Sequence, residues 1–121
     1  MEQRLKQLDY DVVVVGGGSA GVAAAISAAN NGSRTLLIEA GPLIGGEMLS
    51  GLPIDGCLST RGEWVVGGVA REIFKECDRL GGYVGHFYDW RTIWVVSVDP
   101  EIMKLAVVNV VRRAGVDMLL Y

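Results

Sequence analysis

A chain of 121 residues is long enough for one domain with a real core and too short for two. Half of its residues are apolar and 21% are charged, which excludes a disordered chain. The net charge of −3 is spread without a basic stripe or a basic amphipathic helix, so neither a nucleic acid nor a membrane surface is expected as a partner.

Residues 1–8 are polar and read as a frayed turn or a disordered start. Residues 10–15 form a β-branched run without alternation, the pattern of a strand buried on both faces of a parallel sheet. Residues 19–31 read as an alanine-rich helix whose small side chains let its axis lie close to a sheet, with Gly32 as its stop. The uncharged stretch over residues 12–33 reaches membrane-spanning length. However, Gly16-Gly17-Gly18-Ser19 breaks it after four valines, and Asp9 and Asp11 stand where a leader would carry basic residues. Residues 35–39 give a second strand, and so short a strand–helix–strand unit implies parallel pairing by a right-handed crossover.

The turn between strand and helix carries chemistry. Gly16, Gly18 and Gly21 stand in the spacing G-x-G-x-x-G, with a strand before, a helix after and Glu39 ending the next strand. Gly16 permits the tight exit from the strand. Gly18 removes a side chain where a pyrophosphate must touch backbone, and Gly21 lets helix and strand pack closely. The amides opening the helix, at Ser19, Ala20 and Gly21, together with the helix dipole, attract phosphates. Glu39, followed by Ala40, accepts hydrogen bonds from ribose hydroxyls and repels a 2′-phosphate, which disfavours NADP.

Residues 41–62 hold two prolines, many glycines and no sustained period, and read as a long ordered loop. Residues 63–80 form an amphipathic helix. Its apolar face runs through Val66, Val69, Ala70, Ile73, Phe74, Cys77 and Leu80, and Arg71, Glu72, Lys75, Glu76 and Arg79 lie elsewhere. Residues 83–94 are aromatic and irregular, with a short strand at 92–96. Asp99-Pro100-Glu101 is a helix start, running to about Ala114 with Gly115 as the stop. Residues 116–121 give a third strand.

Gly45-Gly46 follows the acid shortly. With the turn and Glu39, this pair resembles the FAD-dependent oxidoreductases of the glutathione reductase and fumarate reductase type. The resemblance is specific over residues 9–46 and weaker beyond. It implies an α/β, Rossmann-like three-layer FAD/NAD(P)-binding fold. It also implies FAD as cofactor, a glycine pair at Gly45 and Gly46 passing close to it, and an unknown small-molecule substrate. Such enzymes are longer, with a second flavin-contacting segment and a separate substrate domain. The expectation is therefore the N-terminal part of an FAD-binding domain: a βαβ unit over 9–40, a glycine-rich loop over 41–62, and helices with a third strand over 63–121. The missing remainder of the enzyme, or a second copy, is the expected partner. The alternatives are an NAD-dependent dehydrogenase and a non-catalytic nucleotide-binding or scaffolding subunit.

Other residues read as structural. His86, the single histidine, is expected in a loop without a special role. Cys57 lacks the C-x-x-x-x-C partner of the disulfide reductases in this superfamily, and Cys77 falls on an apolar helix face. The two cysteines form no metal or redox motif and suit the reduced thiols of a cytoplasmic protein. Trp64, Trp90 and Trp94 are expected in packing. No catalytic residue is nominated.

Overall fold

The computed structural model describes residues 7–90 and 92–121. Most of the proposed polar start lies outside the described residues. Strand β1 (Val12–Val15) leads through the glycine turn into helix α1 (Ser19–Asn30) and strand β2 (Thr35–Glu39). A 3-10 turn at Gly46–Leu49 follows, then α2 (Gly68–Arg79), the strands β3 (Tyr83–Asp89) and β4 (Ile93–Val98), α3 (Pro100–Arg113) and β5 (Asp117–Leu120).

The α/β class and the parallel sheet are as expected. β2 lies between β1 and β5, parallel to both, with Val15, Ile38 and Leu119 in register across the three strands. α1 packs on β1 and β2, and α3 packs against α1 and α2. One core joins these layers, running from Val22, Ala25 and Ile26 of α1 through Leu37 of β2 to Met103, Val107 and Val111 of α3.

The first strand differs from its sequence reading. Val13 is 50% exposed and Val15 80%, so β1 alternates instead of burying both faces. Helices cover the side of Val14 and Leu37, and nothing in the described residues covers Val15 and Leu119. The unbroken apolar run thus did not by itself mean burial on both faces.

Two further expectations are corrected. α2 starts at Gly68, not near residue 63: Gly67 is its N-cap and Gly68 has φ +54°. Trp64 instead bridges to Leu58. The irregular aromatic stretch is an antiparallel hairpin of β3 and β4, with a register shift between Tyr83 and Gly85. The third helix is as expected: the Asp99 carboxylate accepts the N–H groups of Glu101 at 2.9 Å and Ile102 at 3.2 Å.

Candidate functional site: the glycine turn and its acid

The turn leaves β1 at Gly16, whose N–H donates to the Ile38 carbonyl at 2.7 Å and whose φ is +104°. A Cβ on Gly21 would lie 1.8 Å from the Gly16 carbonyl oxygen, so no side chain fits where α1 crosses the strand exit. A Cβ on Gly18 would meet nothing within 4 Å. Its bareness therefore serves no packing within the described chain and leaves room beside the backbone. The first intrahelical bond runs from the Val22 N–H to the Gly18 carbonyl at 2.9 Å. The N–H groups of Ser19, Ala20 and Gly21 precede it, at the positive end of the helix, without intrahelical acceptors.

The glycine pair docks on this turn. The Gly45 N–H donates to the Gly17 carbonyl at 2.7 Å, and the Ser19 hydroxyl donates to the Gly45 carbonyl at 3.1 Å. A Cβ on Gly46 would sit 3.0 Å from Gly18 Cα. Two glycine segments more than twenty residues apart thus meet backbone to backbone.

Glu39 closes the assembly. Its Oε2 accepts the Gly17 N–H at 2.6 Å, and its Oε1 accepts the Gly41 N–H at 2.9 Å. These bonds, Gly17 first, hold its carboxyl below the usual carboxylate value. Gly17 is the residue that sequence reasoning passed over. A Cβ there would lie 2.7 Å from Ile44 Cγ2 and 3.1 Å from Glu39 Cβ. The signal was present as three consecutive glycines where the motif needs two.

Beyond Glu39, at the C-terminal ends of the strands, a hollow of about 730 Å³ is lined by Val15, Gly16, Glu39, Ala40, Leu119 and Tyr121 among others. Ligands of open parallel sheets bind at this end of the strands. The structure thus brings Gly16, Gly18, Ser19, Ala20, Gly21, Glu39, Ala40, Gly45 and Gly46 together at one edge. The cysteines lie apart from it as buried, free thiols, each pushed up by burial.

The sequence profile of the FAD dependent oxidoreductase family matches residues 11–121. The chain belongs to this family. FAD is its cofactor, as the sequence reading expected. Among relatives, the chain is 43% identical over 113 residues to the tRNA uridine 5-carboxymethylaminomethyl modification enzyme MnmG of Lactococcus lactis subsp. lactis, covering 93% of this chain and 15% of that protein. The MnmG enzyme of Ligilactobacillus salivarius is 41% identical over 118 residues, 97% of this chain and 15% of the relative. The chain therefore spans about 15% of the length of these curated relatives. The THI4 structure from Thermovibrio ammonificans superposes with a TM-score of 0.58 at 21% identity, over 92% of this chain and 38% of that one, which shows the shared fold.

The turn fits the cofactor. Gly18 offers an open cradle, the leading amides of α1 suit a pyrophosphate, and the hollow beside the Glu39 carboxylate suits a nucleoside. Among the described residues no helix is long and apolar enough to cross a membrane.

Proposed function

We propose that this chain forms the N-terminal, ADP-binding part of the flavin domain of a cytoplasmic oxidoreductase. In that enzyme a small-molecule substrate exchanges a hydride or electrons with FAD. The observation that carries this reading is the open space at Gly18, where the amides of Ser19, Ala20 and Gly21 precede the first intrahelical bond of α1. When bound, FAD supplies the redox chemistry, and the protein orients and tunes it. This chain's own part is to hold the pyrophosphate on the α1 amides and to accept ribose hydroxyls on the Glu39 carboxylate. The same residues, with Ala40, Gly45 and Gly46, keep those two contacts in register through the bonds from Gly17 and Gly45.

The two glycines Gly18 and Gly21 test it as a pair. Gly18→Val should abolish the visible flavin absorbance of the purified protein and leave its circular dichroism unchanged, because among the described residues nothing beyond its own chain neighbours lies within 4 Å of the new Cβ. Gly21→Ala should disturb both, because its Cβ enters the Gly16 carbonyl. A Gly18→Val protein that stays yellow after dialysis overturns the reading.

A second reading has a specific support. The relatives' names give tRNA as what they modify, which runs against the expectation of no nucleic-acid partner drawn from composition. Salt-dependent retention of tRNA by the purified protein would favour it over a small-molecule substrate.

A further inference from the structure

Away from the glycine turn, ring side chains form one row from the hairpin to α2. Phe74, Trp64, Tyr83, His86, Trp94 and Tyr88 follow one another with centroids 5.3, 6.3, 6.5, 5.8 and 5.6 Å apart. Phe74 closes the row in the core, and Tyr88, 51% exposed, opens it to solvent. The register shift between Tyr83 and Gly85 sets residues three apart on one face of β3, so that Tyr83 stands beside His86.

The two indoles of the row are held in place. The Trp94 ring N–H donates to the Thr60 carbonyl at 3.3 Å, and a Cβ on Gly62 would lie 3.0 Å from the same ring. The Arg71 guanidinium carbon sits 3.9 Å from the Trp64 ring centroid. A positive charge there opposes the positive hole that loss of an electron leaves on Trp64, so the hole moves on to a neighbour that can shed the charge. Of its two ring neighbours in the row, Phe74 is the harder to oxidise and Tyr83 the easier.

Tyr83 has beside it the base that such a transfer needs. Its Oη and His86 Nδ1 are 2.8 Å apart. Burial leads the causes that raise the Tyr83 phenol, so it keeps its proton until it is oxidised. His86 is exposed and its ring hydrogens exchange with water, so the tautomer with a bare Nδ1 forms whichever nitrogen holds the hydrogen at rest. Packing alone asks for neither group: phenylalanine fills the place of the Tyr83 ring as well, and a surface position needs no base.

We propose that this row is a relay that carries oxidising equivalents out of the protein, with Tyr83 and His86 as its proton-coupled step and Tyr88 as its exit. The oxidant is a diffusible one-electron inorganic radical, which takes one electron from Trp64 and becomes its anion. Tyr83 returns an electron to the Trp64 ring while its phenol proton passes to His86 Nδ1, leaving a neutral tyrosyl radical beside an imidazolium. Tyr88 then gives an electron through Trp94 and loses its own proton to water, and His86 hands its proton back to Tyr83. A thiol or ascorbate at the surface restores Tyr88 with one electron and one proton. The inference is independent of the flavin site, whose hollow none of these rings lines.

Pulse radiolysis of the purified protein in azide solution tests it, because the azide radical takes single electrons from indole rings in preference to other side chains. Trp90, 84% exposed at the hairpin tip, is replaced by Phe in every protein compared, which leaves Trp64 and Trp94 as the indoles. Tryptophanyl absorption should pass into tyrosyl absorption in a first-order step whose rate is independent of protein concentration. The step should slow in deuterium oxide, because a phenol proton moves with the electron. Tyr83→Phe keeps the ring and removes only the hydroxyl, and should leave a persistent tryptophanyl fraction. His86→Gln, at an exposed position, should slow the step roughly five- to ten-fold, the rate equivalent of one lost hydrogen bond. A step that scales with protein concentration, or a Tyr83→Phe protein that decays as the parent does, overturns the relay. An unchanged rate in His86→Gln or in deuterium oxide overturns the proton-coupled step, and the proposal with it.

Discussion

Both carboxylate oxygens of Glu39 accept backbone N–H groups, one from the turn and one from the residues beyond β2. A carboxylate offers about four acceptor sites, so two remain for ribose hydroxyls after these bonds are made. The acid therefore shapes the turn before it meets a ligand, and two substitutions separate these roles. Glu39→Ala removes both and should weaken FAD by roughly ten- to a hundred-fold. Glu39→Gln could still pair with hydroxyls, but its amide turns a donor toward Gly17 or Gly41, opposing donor to donor. We expect Gln to lose as much affinity as Ala in titrations of the apoprotein, and a Gln variant near the parent would leave Glu39 with the ribose contact alone. The lowered carboxyl also fixes the sign with pH. The contribution is whole above the ordinary value of 4.5, where the carboxylate is charged with or without these bonds, and declines as pH falls from there toward the lower, folded-state value.

At the scale of elements, α2 is fastened to α3 by one buried acid. Glu76 is 3% exposed and accepts from Arg79 of its own helix at 2.7 and 2.9 Å. It also accepts from Asn109 at 2.9 Å and Arg113 at 2.8 Å, both on α3. These partners, Arg79 first, hold its carboxyl far below the usual range. Glu76→Gln keeps the shape but loses the charge, and should cost about 1.5–3 kcal/mol in urea unfolding. In the parent, the contribution is present above the ordinary carboxylate value of 4.5 and declines as pH falls toward the folded-state value, so the gap between parent and variant should narrow in acid. An equal gap at neutral and acid pH would remove the carboxylate as its source. Nothing in the sequence marked Glu76 as buried, because its partners on α3 stand more than thirty residues away. α3 itself was legible, since a capping acid, a proline and a glycine stop are local signals that agree with the fold. The start of α2 was overrun because apolar spacing continues through Val66, while the Gly67-Gly68 break that ends it was given no weight. β3 was missed because Gly85 and the shifted register interrupt its alternation. The glycine turn was legible for the same reason as α3: steric need is written in single residues. Gly17's bond to Glu39 was not, because it depends on how two segments meet.

At the scale of the molecule, the described chain builds a sheet with helices on one side and leaves its other face open along Val13, Val15 and Leu119. The residues we assign to the cofactor all gather at the turn and at the adjoining strand ends, beside the hollow of about 730 Å³. That distribution predicts how the 121-residue chain treats pieces of the cofactor. ADP carries the pyrophosphate and the ribose that these residues would hold, and FAD adds a ribityl chain and flavin ring for which this chain supplies no assigned contact. Affinity reflects only groups that are contacted, less the cost of ordering the rest. Equilibrium dialysis of the chain should therefore give ADP and FAD dissociation constants within about three-fold of each other, a gap of well under 1.4 kcal/mol. FMN, which lacks the adenosine, should bind more weakly than either. Because the Glu39 contact belongs to the adenosine end, Glu39→Ala should weaken ADP and FAD by the same factor and barely change FMN. FAD binding far more tightly than ADP would place a flavin-ring contact within these 121 residues and overturn the division of the site argued from the turn and its acid.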